Sequence, residues 1–323
     1  MMKYCRRIGF QDIRKKYKNI FLWGGGRLLT DNFSPNLSGL TAIVDGRGDH
    51  VGETGVGGLR VIGTEALAQM QRRSLIICYT IYESQVLHQI ASLPNAEQFD
   101  FIAFPLLETQ EPGNLEPHSF AKNGEDLLAW LQLSRFRPQG LNYLEIGVCH
   151  PMMRNNTFLL HELCKDREGY HGVLVEANPL CWELIEEYRP EDTLIRKGIS
   201  ASGGALPFYQ FPDFLGHSTF DIKQAEQDCR ATGFSYNIME IETTTINDVL
   251  AQNFDRVPDL LSLDADGLDE AILSSLDFDR YPIPVLITEM MEQTESGIQT
   301  LLKEHGYEVM ATTEENALWV LKK

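Results

Sequence analysis

Residues 142–151 read NYLEIGVCHP, and residues 307–321 read YEVMATTEENALWVL. The first is an apolar run that ends in a glycine, the pattern of a strand running into a tight turn. Working outward, the spacing predicts a helix over 155–165, a strand over 172–176, a helix over 179–188 and a strand over 193–197. The rhythm stops at an irregular section, 200–240, rich in Gly, Pro and aromatic residues, which reads as a lid or wall over a ligand site. It resumes with a helix at 246–252, a strand at 259–264, a helix at 268–276, a strand at 285–289 and a helix at 297–305. Strands alternating with helices at this spacing predict a parallel α/β unit. The closing stretches 307–311 and 317–321 flank a polar turn and predict a hairpin, which an all-parallel sheet does not contain.

The first third repeats the alternation. Asn19 to Trp23 reads as a strand entering Gly24, Gly25 and Gly26, and Leu40 to Asp45 as a strand ending in an acid. A Gly-rich loop to Gly63, a helix from Thr64, a strand at 75–79, a helix at 82–93 and a strand at 101–104 follow. Residues 108–117, ETQEPGNLEP, have the composition of an exposed connector. The expected domains are therefore 1–110 and 111–323, in keeping with a chain of 323 residues against ~150 for an average domain.

Composition excludes other classes. With 28 Lys and Arg against 46 Asp and Glu, the net charge is -18, and affinity for a phosphate backbone does not drive the function. The reading is no nucleic-acid partner, with only the basic stretch from Lys3 to Lys18 as a local exception, best read as a solvated first helix. No apolar stretch reaches the ~18 residues needed to span a bilayer, so a cytoplasmic chain is expected. Six scattered cysteines without C-x-x-C spacing indicate neither a zinc knuckle nor a disulfide framework.

Four strand ends carry groups suited to chemistry. Glu145 and Gly147 close the first strand, where a parallel sheet opens its ligand crevice. Glu176 ends the strand GVLVE before Ala177, Asn178 and Pro179, and a carboxylate there is placed to accept both ribose hydroxyls of an adenosine cofactor. In LLSLDADGLDEAIL the apolar run ends at Asp264 and Asp266, which would orient a substrate, accept its proton or hold a cation. Asp269 and Glu270 suit the dipole of the following helix. Glu289 closes VLITE at the edge of the same crevice.

Taken in order, FAKNGEDLL, YLEIGVCHPMMRNNTFLL, GVLVEANP, the STF at Ser218 to Phe220 and PDLLSLDADGLDEAILSSLDF resemble the FkbM family of S-adenosylmethionine-dependent methyltransferases over roughly residues 118–323. The expected fold is two Rossmann-like three-layer α/β domains, the second a class I methyltransferase sheet whose final hairpin inserts one antiparallel strand. The resemblance implies cofactor contacts at Glu145, Gly147, Val148, Thr157, Glu176, Ala177 and Asn178, with Gly198, Ile199, Ser200 and Asp264 near the adenine or methionine end. Cys149 stands where the family often has Asn, and Asp266 where it more usually has Glu. Hydroxyl groups are the family's common acceptors, so O-methylation of a hydroxyl on a sugar-linked or other small molecule is the leading expectation. Asp264, Asp266, Glu289 and His217 are the candidate bases or orienting groups. No metal is assigned; magnesium is the lesser alternative, and Asp264 and Glu289 would be its ligands.

The N-terminal segment resembles the Rossmann-like domain of nucleotide-sugar-modifying and acyltransferase-associated proteins, with Gly24, Gly26, Asp45 and Gly58 to Gly63 in the matching places. NAD there is an alternative to a structural or substrate-presenting role, although GGGRLL lacks a clean G-x-G-x-x-G. Three function classes stay open: a methyltransferase, with a homo-oligomer as one alternative for its assembly, a nicotinamide-dependent oxidoreductase or epimerase, and a non-catalytic tandem scaffold. Tyr79 and Tyr82 have no lysine in Y-x-x-x-K spacing, which counts against the second.

Overall fold

The computed structural model describes residues 2–108, 119–134, 140–265, 267–290 and 295–322. The chain divides into two compact units, Met1–Glu116 and Pro117–Lys323. Apart from Glu108, the expected connector 108–117 lies outside the described residues, as does Asp266.

The first unit runs β1 (Lys3–Tyr4), β2 (Ile8–Gly9), α1 (Phe10–Lys16), β3 (Asn19–Trp23), α2 (Arg27–Asn32), β4 (Ala42–Val44), β5 (Val61–Ile62), α3 (Thr64–Leu67), β6 (Ser74–Cys78), α4 (Glu83–Ala91), β7 (Phe99–Ala103) and β8 (Leu107–Glu108). Six strands form one parallel sheet in the order β1-β7-β6-β3-β4-β5, while β2 pairs only with β8. The central strands are apolar without alternation because both faces are covered: Phe21, Trp23, Ile76, Phe99 and Phe101 pack with Val86 and Ile90 of α4. The basic N-terminal stretch holds a helix, α1, with Asp12, Arg14, Lys15 and Lys16 in solvent, as expected, but not all of its cations are solvated. Lys3 sits in the edge strand β1, its ammonium 2.6 Å from the buried carboxylate of Glu83, and α1 buries Phe10 and Ile13.

The second unit runs α5 (Glu125–Leu133), β9 (Asn142–Ile146), α6 (Phe158–Cys164), β10 (His171–Val175), α7 (Pro179–Tyr188), β11 (Thr193–Ile195), β12 (Gly198–Ile199), β13 (Gly204–Gln210), α8 (Ile222–Thr232), β14 (Asn237–Thr244), α9 (Ile246–Asn253), β15 (Leu260–Leu263), α10 (Asp269–Ser275), β16 (Val285–Glu289), α11 (Glu295–Glu304), β17 (Tyr307–Thr312) and β18 (Asn316–Leu321). Seven strands pair in the order β11-β10-β9-β15-β16-β18-β17. The first five are parallel, and β18 runs antiparallel to both β16 and β17. The hairpin and its inserted antiparallel strand are thus present as the sequence predicts. From β9 the chain moves out to β10 and β11, then returns to β15 on the other side of β9. Strand order reverses there, so the crevice between β9 and β15 is the place where such sheets bind ligands.

The section 200–240 is a correction. It is not irregular: β13, a short turn and α8 lead into β14, and β12-β14-β13 form a separate three-stranded sheet. Pro207 lies within β13, an edge strand that pairs with β14 and on its other side makes an isolated bridge from Tyr209 to Thr219, and an edge strand tolerates a residue without an N–H. An aromatic cluster of Tyr209, Phe211, Phe214, Phe234 and Tyr236 holds this sheet to α8 through Ala225.

Trp319 of β18 is 1% exposed and donates its indole N–H to the Thr288 hydroxyl at 3.1 Å, tying the hairpin to β16. Trp319→Ala should lower stability by about 3–5 kcal/mol, measured as a shift in the urea midpoint at unchanged slope.

Candidate active site

The crevice begins at Gly147. Its amide donates to the Val175 carbonyl at 3.0 Å, and the Asp264 amide donates to the Ile146 carbonyl at 3.0 Å, which extends the pairing of β9 with both neighbours by one step. At Gly147 φ is +81°, and a Cβ would lie 1.7 Å from the carbonyl oxygen of Asp264. No other residue fits, because both the backbone conformation and the space exclude a side chain.

Glu176 follows β10 and is 6% exposed. One carboxylate oxygen accepts the Cys149 N–H at 2.7 Å and the other the Asn178 N–H at 2.6 Å. Burial pushes this carboxyl above its ordinary range, against the backbone N–H groups of Asn178, Cys149, Val148 and Ala177 that favour its charge. A strand-end carboxylate bound to the glycine loop on one side and to a helix entry on the other retains acceptor capacity for hydroxyl donors.

Asn178 caps α7 by accepting the Leu180 N–H at 3.1 Å, accepts the Gln210 amide at 2.9 Å, and donates to the Ser218 hydroxyl at 3.2 Å. This ties the STF segment to the residues after Glu176. Phe220 of the same segment packs on Gly198, where a Cβ would come within 2.5 Å of the ring. Val148 and Ile199 are buried beside these groups in the sequence.

Glu145 and Thr157 are placed differently from the sequence expectation. They are 3% and 0% exposed and face an interior network: Glu145 accepts the Thr157 hydroxyl at 2.7 Å and the Asn155 amide at 3.0 Å. Arg189, 1% exposed, lies 3.9 Å from the same carboxylate and bonds to Asp192, Tyr143, Asn155 and Thr157. Side chains on successive residues of a strand point to opposite faces, and Glu145 falls on the packed one. His150 Nδ1 accepts the N–H groups of Met152 and Met153 at 3.1 and 3.0 Å, which holds the ring against the loop that follows.

The other strand ends differ from each other. Asp264 is exposed at the end of β15. Glu289 ends β16 with a buried Oε2 that meets no hydrogen-bond donor among the described residues. Burial, then the charge of Asp269, push its carboxyl up to about 7 against the opposing pull of Lys122. Asp269 is 3% exposed and accepts the Ala265 N–H at 3.1 Å, so it closes the first turn of α10 while facing Glu289 electrostatically. The helix-dipole reading of Asp269 from sequence omitted that second part. Lys122 pairs with Glu315, and burial and the nearby charge of Arg154 lower its affinity for a proton. Neighbouring Glu125 accepts from Thr313, Asn316 and Asn123, anchoring the start of α5 to the hairpin turn.

His217 lies in the insert. Its Nδ1 is 2.8 Å from a carboxylate oxygen of Asp228, and its ring is 4.2 Å from that of Phe214. Asp228, eleven residues downstream in α8, had no sequence signal beyond its helix position. Among the described residues no group of three or more His, Cys, Asp or Glu is arranged to hold a metal ion.

In the first unit, Gly24 has φ +137°, and a Cβ there would lie 2.8 Å from the Tyr79 carbonyl oxygen, so it serves a close strand-to-strand turn. A Cβ at Gly26 would meet nothing within 4 Å. Asp45 accepts the N–H groups of Arg47 at 3.0 Å and His50 at 2.8 Å. Burial alone would raise its pKa, but the N–H groups of His50, Arg47 and Gly48 outweigh it and hold the carboxyl below its ordinary value. Its oxygens thus shape their own loop.

A five-strand parallel core with an inserted antiparallel strand and a ligand crevice at the β9/β15 switch point is the class I methyltransferase architecture. The family model "Methyltransferase FkbM domain" matches residues 145–309, just over half of the chain, and the chain belongs to that family. Among solved structures, an O-methyltransferase from Bacillus cereus in complex with SAH is 12% identical, with 74% of this chain and 91% of that one covered and a TM-score of 0.37. A precorrin-6y C5,15-methyltransferase from Geobacter metallireducens GS-15 is 14% identical, with 61% and 87% covered and a TM-score of 0.35. A putative O-methyltransferase from Klebsiella pneumoniae is 13% identical, with 65% and 84% covered and a TM-score of 0.35. No curated protein sequence matches the chain. No helix among the described residues is long and apolar enough to cross a membrane.

Gly147→Ala should destabilise the protein by more than ~2 kcal/mol, because strain and a backbone clash coincide. Thermal melting beside Gly26→Ala, where space is open, checks this; equal melting points would show that the Asp264 approach is not tight.

Proposed function

We propose that the chain transfers the methyl group of S-adenosylmethionine to a hydroxyl of a small, sugar-linked molecule. The observation that carries the hydroxyl specificity is Glu289: a carboxylate with an unbonded buried oxygen and a pKa of about 7, at a strand end of a methyltransferase sheet. A hydroxyl acceptor must lose its proton as the new bond forms, and a base works best when its pKa lies near the working pH. The cofactor, when bound, supplies an electrophilic methyl on a sulfonium.

The residues present suit that cofactor. Gly147 turns the chain at the strand-order reversal with no side chain, the space of a Cβ being taken by the Asp264 carbonyl oxygen, and Glu176 offers a buried carboxylate to the ribose hydroxyls. Val148, Ala177, Asn178, Gly198 and Ile199 line the same stretch of backbone in this reading, with exposed Asp264 at the methionine end. Glu289 accepts the hydroxyl proton, and the buried Asp269 keeps it from ionising too early. Positioning of the hydroxyl in line with the methyl supplies much of the remaining rate. His217, held by Asp228 through Nδ1, is the second candidate base, since that contact fixes the tautomer and leaves Nε2 for a proton. A sugar-linked acceptor accords with the resemblance of the N-terminal unit, whose glycine turn at Gly24 and Gly26 would present it.

Methyl transfer to a panel of nucleotide sugars and free hydroxylated compounds, read as a mass gain on the acceptor, tests the reaction. The wild-type rate should rise with pH through about 7, because below that value Glu289 is protonated and cannot accept a proton. Glu289→Gln should lower kcat by about 10²- to 10⁴-fold and flatten the profile. An unchanged rate in this variant with a collapse in His217→Gln would transfer the base role to His217, and transfer only to amines would overturn O-methylation.

A further inference from the structure

We propose that Arg189 is a positioning residue for the cofactor loop, setting affinity for S-adenosylmethionine from beneath the glycine turn without touching the cofactor. The inference rests on the methyltransferase reading above. Arg189 is the residue after α7, and nothing in its local sequence, EEYRPED, marks it as more than a helix end. Its guanidinium is 1% exposed yet fully engaged. Nε donates to Asp192 at 2.6 Å and Nη2 to the Tyr143 hydroxyl at 2.6 Å, which anchors it to the domain interior. Its remaining contacts go to the glycine loop and the start of α6. Nη1 donates to the Pro151 carbonyl at 3.1 Å and to Asn155 Oδ1 at 3.3 Å, and Nη2 donates to the Thr157 hydroxyl at 3.0 Å.

The loop needs such a clamp. Gly147, Cys149 and Arg154 all have positive φ, +81°, 51° and 57°, and the last two carry side chains that disfavour this conformation. Backbone in sparsely populated regions persists only where its surroundings over-determine it. Asn155 relays the clamp: the Oδ1 that meets Arg189 also accepts the N–H groups of Thr157 and Phe158 at 3.0 and 2.8 Å, which starts α6. At the other end of the loop, the Cys149 N–H binds Glu176. The segment between the ribose-side carboxylate and α6 is therefore fixed at both ends, and Arg189 supplies three contacts along it. A planar, five-donor guanidinium does this; a lysine offers a single point charge. The charge is balanced in place, because Asp192 and Glu145 face it and raise its already high pKa despite burial.

The test compares Arg189→Lys and Asn155→Ala, which remove loop contacts, with Tyr143→Phe, which removes an interior contact only. Binding of S-adenosylhomocysteine by calorimetry is read beside KM, kcat and melting temperature. The loop variants should weaken binding and raise the KM for S-adenosylmethionine by about tenfold to a hundredfold, with kcat at saturation within about threefold of wild type. Tyr143→Phe should lower the melting temperature while leaving affinity within about twofold, since the loop contacts remain. If Arg189→Lys does not fold, Thr157→Val, which removes one loop contact, carries the same expectation. Loop variants that bind like wild type, or that lose affinity only as far as Tyr143→Phe does, overturn the clamp. A wild-type protein that binds no S-adenosylhomocysteine overturns the methyltransferase reading itself.

Discussion

The carbonyl oxygen of Asp264 occupies the space that a side chain at position 147 would need. That single close approach sets the geometry of the whole crevice. It brings the turn after β9 against the end of β15 at the point where strand order reverses, so that backbone meets backbone there. Glu176 then reaches the turn from the neighbouring strand through the Cys149 amide. The path of the chain from Ile146 to Asn156 follows from these two contacts and from the buried network that supports it.

Two kinds of carboxylate emerge from strand ends that look alike in sequence. Glu145 and Glu176 both sit at the end of an apolar run, but one faces Arg189 in the interior and the other faces the turn. Asp264 and Glu289 both end strands at the crevice, yet the first is exposed and the second is half-buried, its carboxyl pushed up to about 7. The difference comes from neighbours distant in the chain: Asp269 twenty residues before Glu289, and Lys122 from the segment leading into α5. Placing charge so unevenly among similar residues is what separates structural carboxylates from reactive ones in an acidic protein.

These differences also mark what the sequence could convey. Continuous apolar strands, the glycine after β9 and the polar turn between β17 and β18 are local patterns, and from them the α/β class and the antiparallel insertion were legible. The three-stranded insert was not, because Pro207 and the glycines at 203 and 204 look like breakers until β13 is known to be an edge strand. Glu145 looked like a ligand contact because strand-end acids share one pattern whichever face they occupy, and Thr157 was implied by the family resemblance alone. Asp228 and Arg189 had no signature at all. Their partners, His217 for one and Pro151, Asn155 and Thr157 for the other, are brought together only by the fold.

The inserted strand β18 has a consequence for synthesis. It lies between β16 and β17, so β16, which carries Glu289, lacks its second neighbour until the chain has been made through Leu321. Domains generally fold in the order in which they are translated. Here the first unit can complete its parallel sheet from its own strands, whereas β16 of the second must wait for β18. A chain made only through β16 would therefore carry a complete N-terminal sheet and an incomplete second one, in which β16 has β15 as its one strand neighbour.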